Sequence, residues 1–172
     1  MKFILSFIIY LFCILQIKGD KASKVVNFVK SKVGCGYVWG GEGQKLTEAL
    51  LNKFHDQYPT HVDKSIVKRW IGKEVYDCSG LVHVAFKNVG ISIYHNADTA
   101  WRTTNWKNTG GISNYPRDKV HILYRKSDNK MVHTGVYIGG GKFIHAKGSK
   151  EGVVMENMPG TWTNWGIPNG LY

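Results

Sequence analysis

The spacing of apolar residues changes once along this chain, and that change sets the fold class. Up to about residue 89 they recur with helical period. Ala22, Val25, Val26, Val29 and Val33 line one face of a helix that Gly34 ends, and Leu81, Val82, Ala85, Phe86 and Val89 line another that Gly90 stops. From residue 120 onward the period is two: Val120, Ile122 and Tyr124 alternate, as do Val132, Thr134, Val136 and Ile138 against His133, Gly135 and Tyr137. Further strand-like runs cover 142–147, 152–157 and 166–172. A helical half followed by about five short antiparallel strands predicts an α+β fold, with helices packed on one face of a sheet.

Residues 1–19 begin Met-Lys and continue into an apolar run of about 13 residues, too short to span a bilayer. They read as a cleaved signal peptide and predict a secreted protein with no stable membrane anchor. The remainder, 20–172, is long enough for one domain. Within it, 42–75 carries two weaker helical patterns broken at Pro59, and reads as an inserted, charged segment. The net charge of +11 falls to +9 without the leader's two lysines and suits an anionic partner. No zinc-finger spacing, RNP-like strand or basic heptad points to nucleic acid. Two cysteines outside the leader, Cys35 and Cys78, are too few for a disulfide framework.

Cys78 has the most informative context. Asp77 is a good N-cap, so Cys78 falls in the first turn of its helix. The helix dipole there contributes up to about 2 kcal/mol towards the thiolate. That would bring a thiol down to a pKa of about 7, while the adjacent Asp77 opposes it. A more reactive sulfur needs a histidine base, itself held by a third group. Hairpin register selects one. With Gly139-Gly140-Gly141 as a three-residue loop, residues whose numbers sum to 280 face each other. His133 and His145 then lie diagonally on one sheet face, about 7 to 8 Å apart. A one-residue slip would send them to opposite faces. His133 is the candidate base and His145 its orienter, with backbone N–H groups at the helix start as oxyanion donors. His55, His61, His83, His95 and His121 read as satisfied polar groups. Taken alone, a cysteine at a helix start is most often a small buried residue.

These residues resemble the NlpC/P60 family of papain-like cysteine peptidases. Asp77-Cys78-Ser79-Gly80-Leu81 matches the nucleophile motif. His133, Gly135, Tyr137 and Gly139 match the His-x-Gly-x-Tyr-x-Gly strand, and Gly141, Phe143, Ile144, His145 and Ala146 match the strand that follows. Tyr37, Gly40 and Gly41 match a Tyr-x-x-Gly-Gly segment upstream. The resemblance implies a peptidoglycan endopeptidase that cuts stem peptides between γ-D-glutamate and a diamino acid. It would have Cys78 as nucleophile, His133 as base, His145 as third residue, and no metal or cofactor. Tyr37, Asp77 and Ser79 would contact the stem peptide ahead of the cut. The spacer from Gly41 to Asp77 is longer than the family's usual link. Cys35 stands beside the cleft tyrosine, where a disulfide to Cys78 would silence the enzyme; otherwise it is a packed small residue. Two other readings stay open on this scaffold: an amidase or other acyl hydrolase with the same three residues, and a catalytically silent wall-binding protein.

Overall fold

The computed structural model describes residues 21–172; the leader lies outside the described residues. Helix α1 covers 21–31, and after it Gly34 turns the chain at a φ of 89°. Strand β1 (Gly36–Tyr37) and strand β2 (Glu42–Lys45) follow, then helices α2 (Glu48–Gln57) and α3 (Lys64–Val67), a 3₁₀ turn (Lys68–Trp70) and strand β3 (Glu74–Tyr76). Next come helices α4 (Cys78–Lys87) and α5 (Ala97–Thr103). Six strands complete the chain: β4 (Trp106–Gly111), β5 (His121–Ser127), β6 (Lys130–Gly139), β7 (Lys142–Gly148), β8 (Gly152–Asn157) and β9 (Asn164–Pro168).

Those six strands form one antiparallel sheet in the order β4-β9-β5-β6-β7-β8. Helix α4 packs on β6 and β7 through Leu81, Val82, Ala85 and Phe86, all with 1% exposure or less. They meet Ile122, Leu123, Val136 and Ile144 from the sheet in the main core. The α+β arrangement is as the periodicity predicts. The sheet's sixth strand, β4, comes from a polar stretch whose pattern gives no strand signal.

Residues 42–75 form their own wall. Thr47 caps α2 by accepting from the Leu50 N–H, and Asp63 caps α3 by accepting from Ser65. Val38, Leu46, Leu51, Phe54, Val62, Val67 and Val75 make a second apolar cluster beneath them. Strands β1, β3 and β2 join in a small sheet, parallel between β1 and β3 and antiparallel between β3 and β2.

This wall meets α4 at one tight point. The Asp77 N–H donates to the Gly41 carbonyl at 2.9 Å, which brings that carbonyl against the Cα of Gly80. A methyl group on Gly80 would collide with the Gly41 oxygen, a backbone atom that cannot rotate away. Gly80→Ala is therefore expected to cost about 1 to 3 kcal/mol through overpacking, read as a lower urea midpoint.

Candidate active site

Asp77 is the N-cap of α4, with its Oδ1 accepting from the Gly80 N–H at 2.7 Å and from the Ser79 hydroxyl at 2.9 Å. Its Oδ2 accepts from the Gly40 N–H at 2.8 Å. The carboxylate thus ties the start of α4 to the loop after β1. Cys78 follows it, buried at the first position of α4. Burial, and then the Asp77 charge, nonetheless push this thiol up to about 12. The helix dipole does not win here, because a buried sulfur loses more in desolvation than one helix end returns.

Helix α4, which Cys78 opens, packs on β6, the strand that carries His133. The hairpin that carries the histidines turns on Gly140-Gly141, both at positive φ, with a bulge between Tyr137 and Gly139. The loop is therefore one residue shorter than a three-residue turn, and the bulge supplies the missing residue. Val136 faces Ile144 and Tyr137 faces Phe143, so the sum of 280 holds in the ladder. His133 and His145 share a face, and His133 Nε2 lies 2.7 Å from His145 Nδ1.

Hydrogen-bond logic sets the tautomers of this line. His145 Nε2 lies 2.9 Å from a Glu156 carboxylate oxygen, so it carries the proton and donates. Burial holds His145 below its ordinary pKa, leaving a neutral ring whose Nδ1 accepts. His133 Nε2 then donates to it, and His133 Nδ1 is left unprotonated as the available base. Burial, His145 and Arg125 push His133 down to about 3, so it stays neutral across the physiological range. Trp162 stacks on the His133 ring, with centroids 5.4 Å apart and planes 12° from parallel. Glu156 is held below the usual carboxylate range by Lys147, whose ammonium lies 2.7 Å away, and by His145, despite partial burial.

A cleft of about 910 Å³ opens over Cys78 and reaches Met131 and Val132 on β6, while His133 and His145 are not in its lining. Asp77, Cys78 and Ser79 are in its lining, while Tyr37 lies buried close to Cys78 and Asp77. Burial and those two neighbouring charges raise the Tyr37 phenol far above its usual value, so it remains a donor. Cys35 and Cys78 are both free thiols. Cys35 sits half-buried, with burial and Glu74 raising its thiol.

Several residues at the site lack a local sequence signal. His95, read as a satisfied polar group, lines the cleft: Nε2 lies 3.0 Å from both Asp77 oxygens and Nδ1 2.8 Å from Glu42. Burial opposes its charge, but the two carboxylates outweigh that and raise its pKa. Glu156 and Trp162 also support the centre unannounced, although Glu156 sits where β8 crosses the histidine strand. Among the described residues no group of three or more His, Cys, Asp or Glu side chains could hold a metal ion, and no helix is long and apolar enough to cross a membrane.

A helix-borne cysteine against a histidine-bearing antiparallel sheet defines a papain-like α+β scaffold. Residues 34–166 match the NlpC/P60 family, and the chain belongs to that family. It is 27% identical over 120 residues to the protein named Probable endopeptidase p60 of Listeria grayi, across 70% of this chain and 22% of that protein. The chain thus spans about a fifth of that curated relative's length. Among solved structures, the P60 domain of an antigen from M. avium subspecies paratuberculosis superposes with a TM-score of 0.60 at 17% identity, covering 88% of this chain and 96% of that one. The peptidoglycan hydrolase RipB from Mycobacterium tuberculosis gives 0.60 at 19% identity, covering 87% and 65%.

Proposed function

We propose that the protein is a secreted cysteine endopeptidase that hydrolyses peptidoglycan stem peptides at the γ-D-glutamyl–diamino acid bond. The observation that carries this reading is the line Glu156–His145–His133, which leaves one unprotonated ring nitrogen on the strand against which the cysteine helix packs. Cys78 attacks the γ-glutamyl carbonyl carbon as His133 Nδ1 takes the thiol proton. The N–H groups at the start of α4 stabilise the oxyanion. His133 returns the proton to the leaving amine, and a thioester remains. Water, deprotonated by the same nitrogen, then attacks the thioester, releasing the γ-glutamyl carboxylate and restoring the thiol. His145 orients the base and disperses its transient charge towards Glu156. Asp77 and Ser79 line the acyl side and, with Tyr37, contact the stem peptide there.

Residues 1–19 act as the signal peptide in this reading, and 20–172 form one catalytic domain into which 42–75 is inserted. The basic surface suits a polyanionic wall.

Mass spectrometry of soluble products from purified peptidoglycan tests the reading, with Cys78→Ala as control. New fragments ending at D-glutamate, absent from the control, are expected. Cleavage at the lactyl amide would indicate an amidase instead. No Cys78-dependent product from wall or muropeptides would leave a binding protein. Glu156→Gln, which keeps the size but removes the charge facing His145, is expected to lower kcat about tenfold with little change in KM. Steady-state kinetics on a defined muropeptide check this.

A further inference from the structure

The cleft does not end at the catalytic centre. From Cys78 and Asp77 its lining continues past Gly40 to Trp39, Tyr58 and His61, with Lys53 and Gln57 on the same side. Trp39 keeps 38% of its surface exposed although Val38 beside it is fully buried. Its ring packs on His61 at 4.2 Å between centroids, tilted 40°. The Tyr58 hydroxyl accepts from the Gln57 amide at 3.0 Å. Gly40 packs so closely against the Tyr58 ring that a methyl group there would approach one ring carbon to 2.9 Å. The same Gly40 donates its N–H to Asp77. One residue therefore couples the aromatic cluster to the N-cap of the cysteine helix, and the second apolar core holds the cluster in place from beneath.

An exposed indole and imidazole, beside a phenol, an amide and an ammonium, match one ligand chemistry well. A pyranose ring has an apolar C–H face that covers aromatic carbon, and a rim of hydroxyl and N-acetyl groups that needs donors and acceptors. We propose that Trp39, Tyr58 and His61 form a subsite for the amino sugar of a glycan-linked stem peptide. This rests on the endopeptidase reading for its direction. The acyl side of the scissile bond runs from Cys78 over Asp77, and on that side a stem peptide leads to its sugar. The segment 42–75 supplies Tyr58 and His61, so it makes the enzyme selective for stems still attached to glycan.

The test is calorimetric titration of the full chain carrying Cys78→Ala, which binds without turnover. The two ligands are a synthetic stem tetrapeptide and the same peptide on its N-acetylglucosaminyl-N-acetylmuramyl disaccharide. The disaccharide-linked ligand is expected to bind about tenfold tighter. Adding Trp39→Ala, or separately the exposed His61→Ala, should shrink that advantage to within about threefold. Equal affinities for the two ligands, binding of neither, or an advantage that survives both replacements would overturn the subsite. Cleavage of the free tetrapeptide by the chain with Cys78 intact reports on the endopeptidase reading alone, so the two ideas fail separately.

Discussion

Replacing His133 by alanine is expected to lower kcat about 10⁴-fold or more, as much as replacing Cys78 itself, and the double variant should be no slower than either single one. The expectation follows from the resting protonation of the pair. Burial and the Asp77 charge push the Cys78 thiol up to about 12, so at neutral pH the sulfur carries its proton. The helix start alone contributes up to about 2 kcal/mol, or roughly one and a half pK units, and cannot bring the thiol near neutrality. Attack therefore requires proton removal by His133 in the same step. Without the base the thiol is inert, and without the thiol the base has nothing to activate, which makes the two effects non-additive. Because His133 is neutral well below the usual histidine range, the acid limb of kcat/KM should lie below about pH 6.5. Single-turnover kinetics on a defined muropeptide would measure all three variants. A loss of less than about tenfold in His133→Ala would mean that the thiolate forms by another route.

The parts of this protein that can be read from its sequence are those where one periodic pattern decides the outcome. Helix α4 was legible because Asp77 caps it and its buried face repeats every third or fourth residue. The histidine pair is legible because strand period is strict: a slip of one residue in the ladder would send His133 and His145 to opposite faces. The turn that creates the register was read less well. Gly139 joins the ladder as part of a bulge, and three consecutive glycines at positive φ allow either a bulge or a longer loop. Strand β4 carries no alternation because Lys107, Asn108 and Thr109 are all exposed at the sheet edge, where only β9 pairs with it. His95 shows a different limit. Its partners Glu42 and Asp77 lie 53 and 18 residues away, so its position depends on closure of the small sheet against α4. Burial of the thiol has no local signal for the same reason. Sequence shows the helix start and the adjacent charge, but burial of the sulfur needs the whole sheet in place.

That burial has a consequence for stability in acid, where the folded protein is expected to lose roughly 5 kcal/mol between pH 6.5 and 4.5 from two histidines alone. His121 is completely enclosed, stacked on Tyr137 at 4.6 Å and edge-on to Trp165, and burial pushes it down to about 4. Its Nδ1 bonds the Lys119 carbonyl, while Nε2 has no partner. His133 is held lower still, at about 3, against Trp162, His145 and Arg125. In the folded chain both rings stay neutral over this window, whereas in the unfolded chain both take up protons. The unfolded state therefore binds more protons, and stability falls with pH by about 1.4 kcal/mol per unit for each ring. His145, also lowered, adds to the loss. His95 does not offset it: raised by Asp77 and Glu42, it is protonated in both states below pH 6.5, and its contribution is lost only as pH rises. The loss equals the low end of the stability of a typical domain, about 5 to 15 kcal/mol, so a marked drop in stability towards pH 4.5 follows. Urea midpoints at pH 7.0, 5.5 and 4.5 would show a steep decline, and His121→Phe should remove about one proton from the slope. A midpoint unchanged across that range would mean that the buried rings take up protons without unfolding, and the closed packing around His121 and His133 would then have to open in the native state.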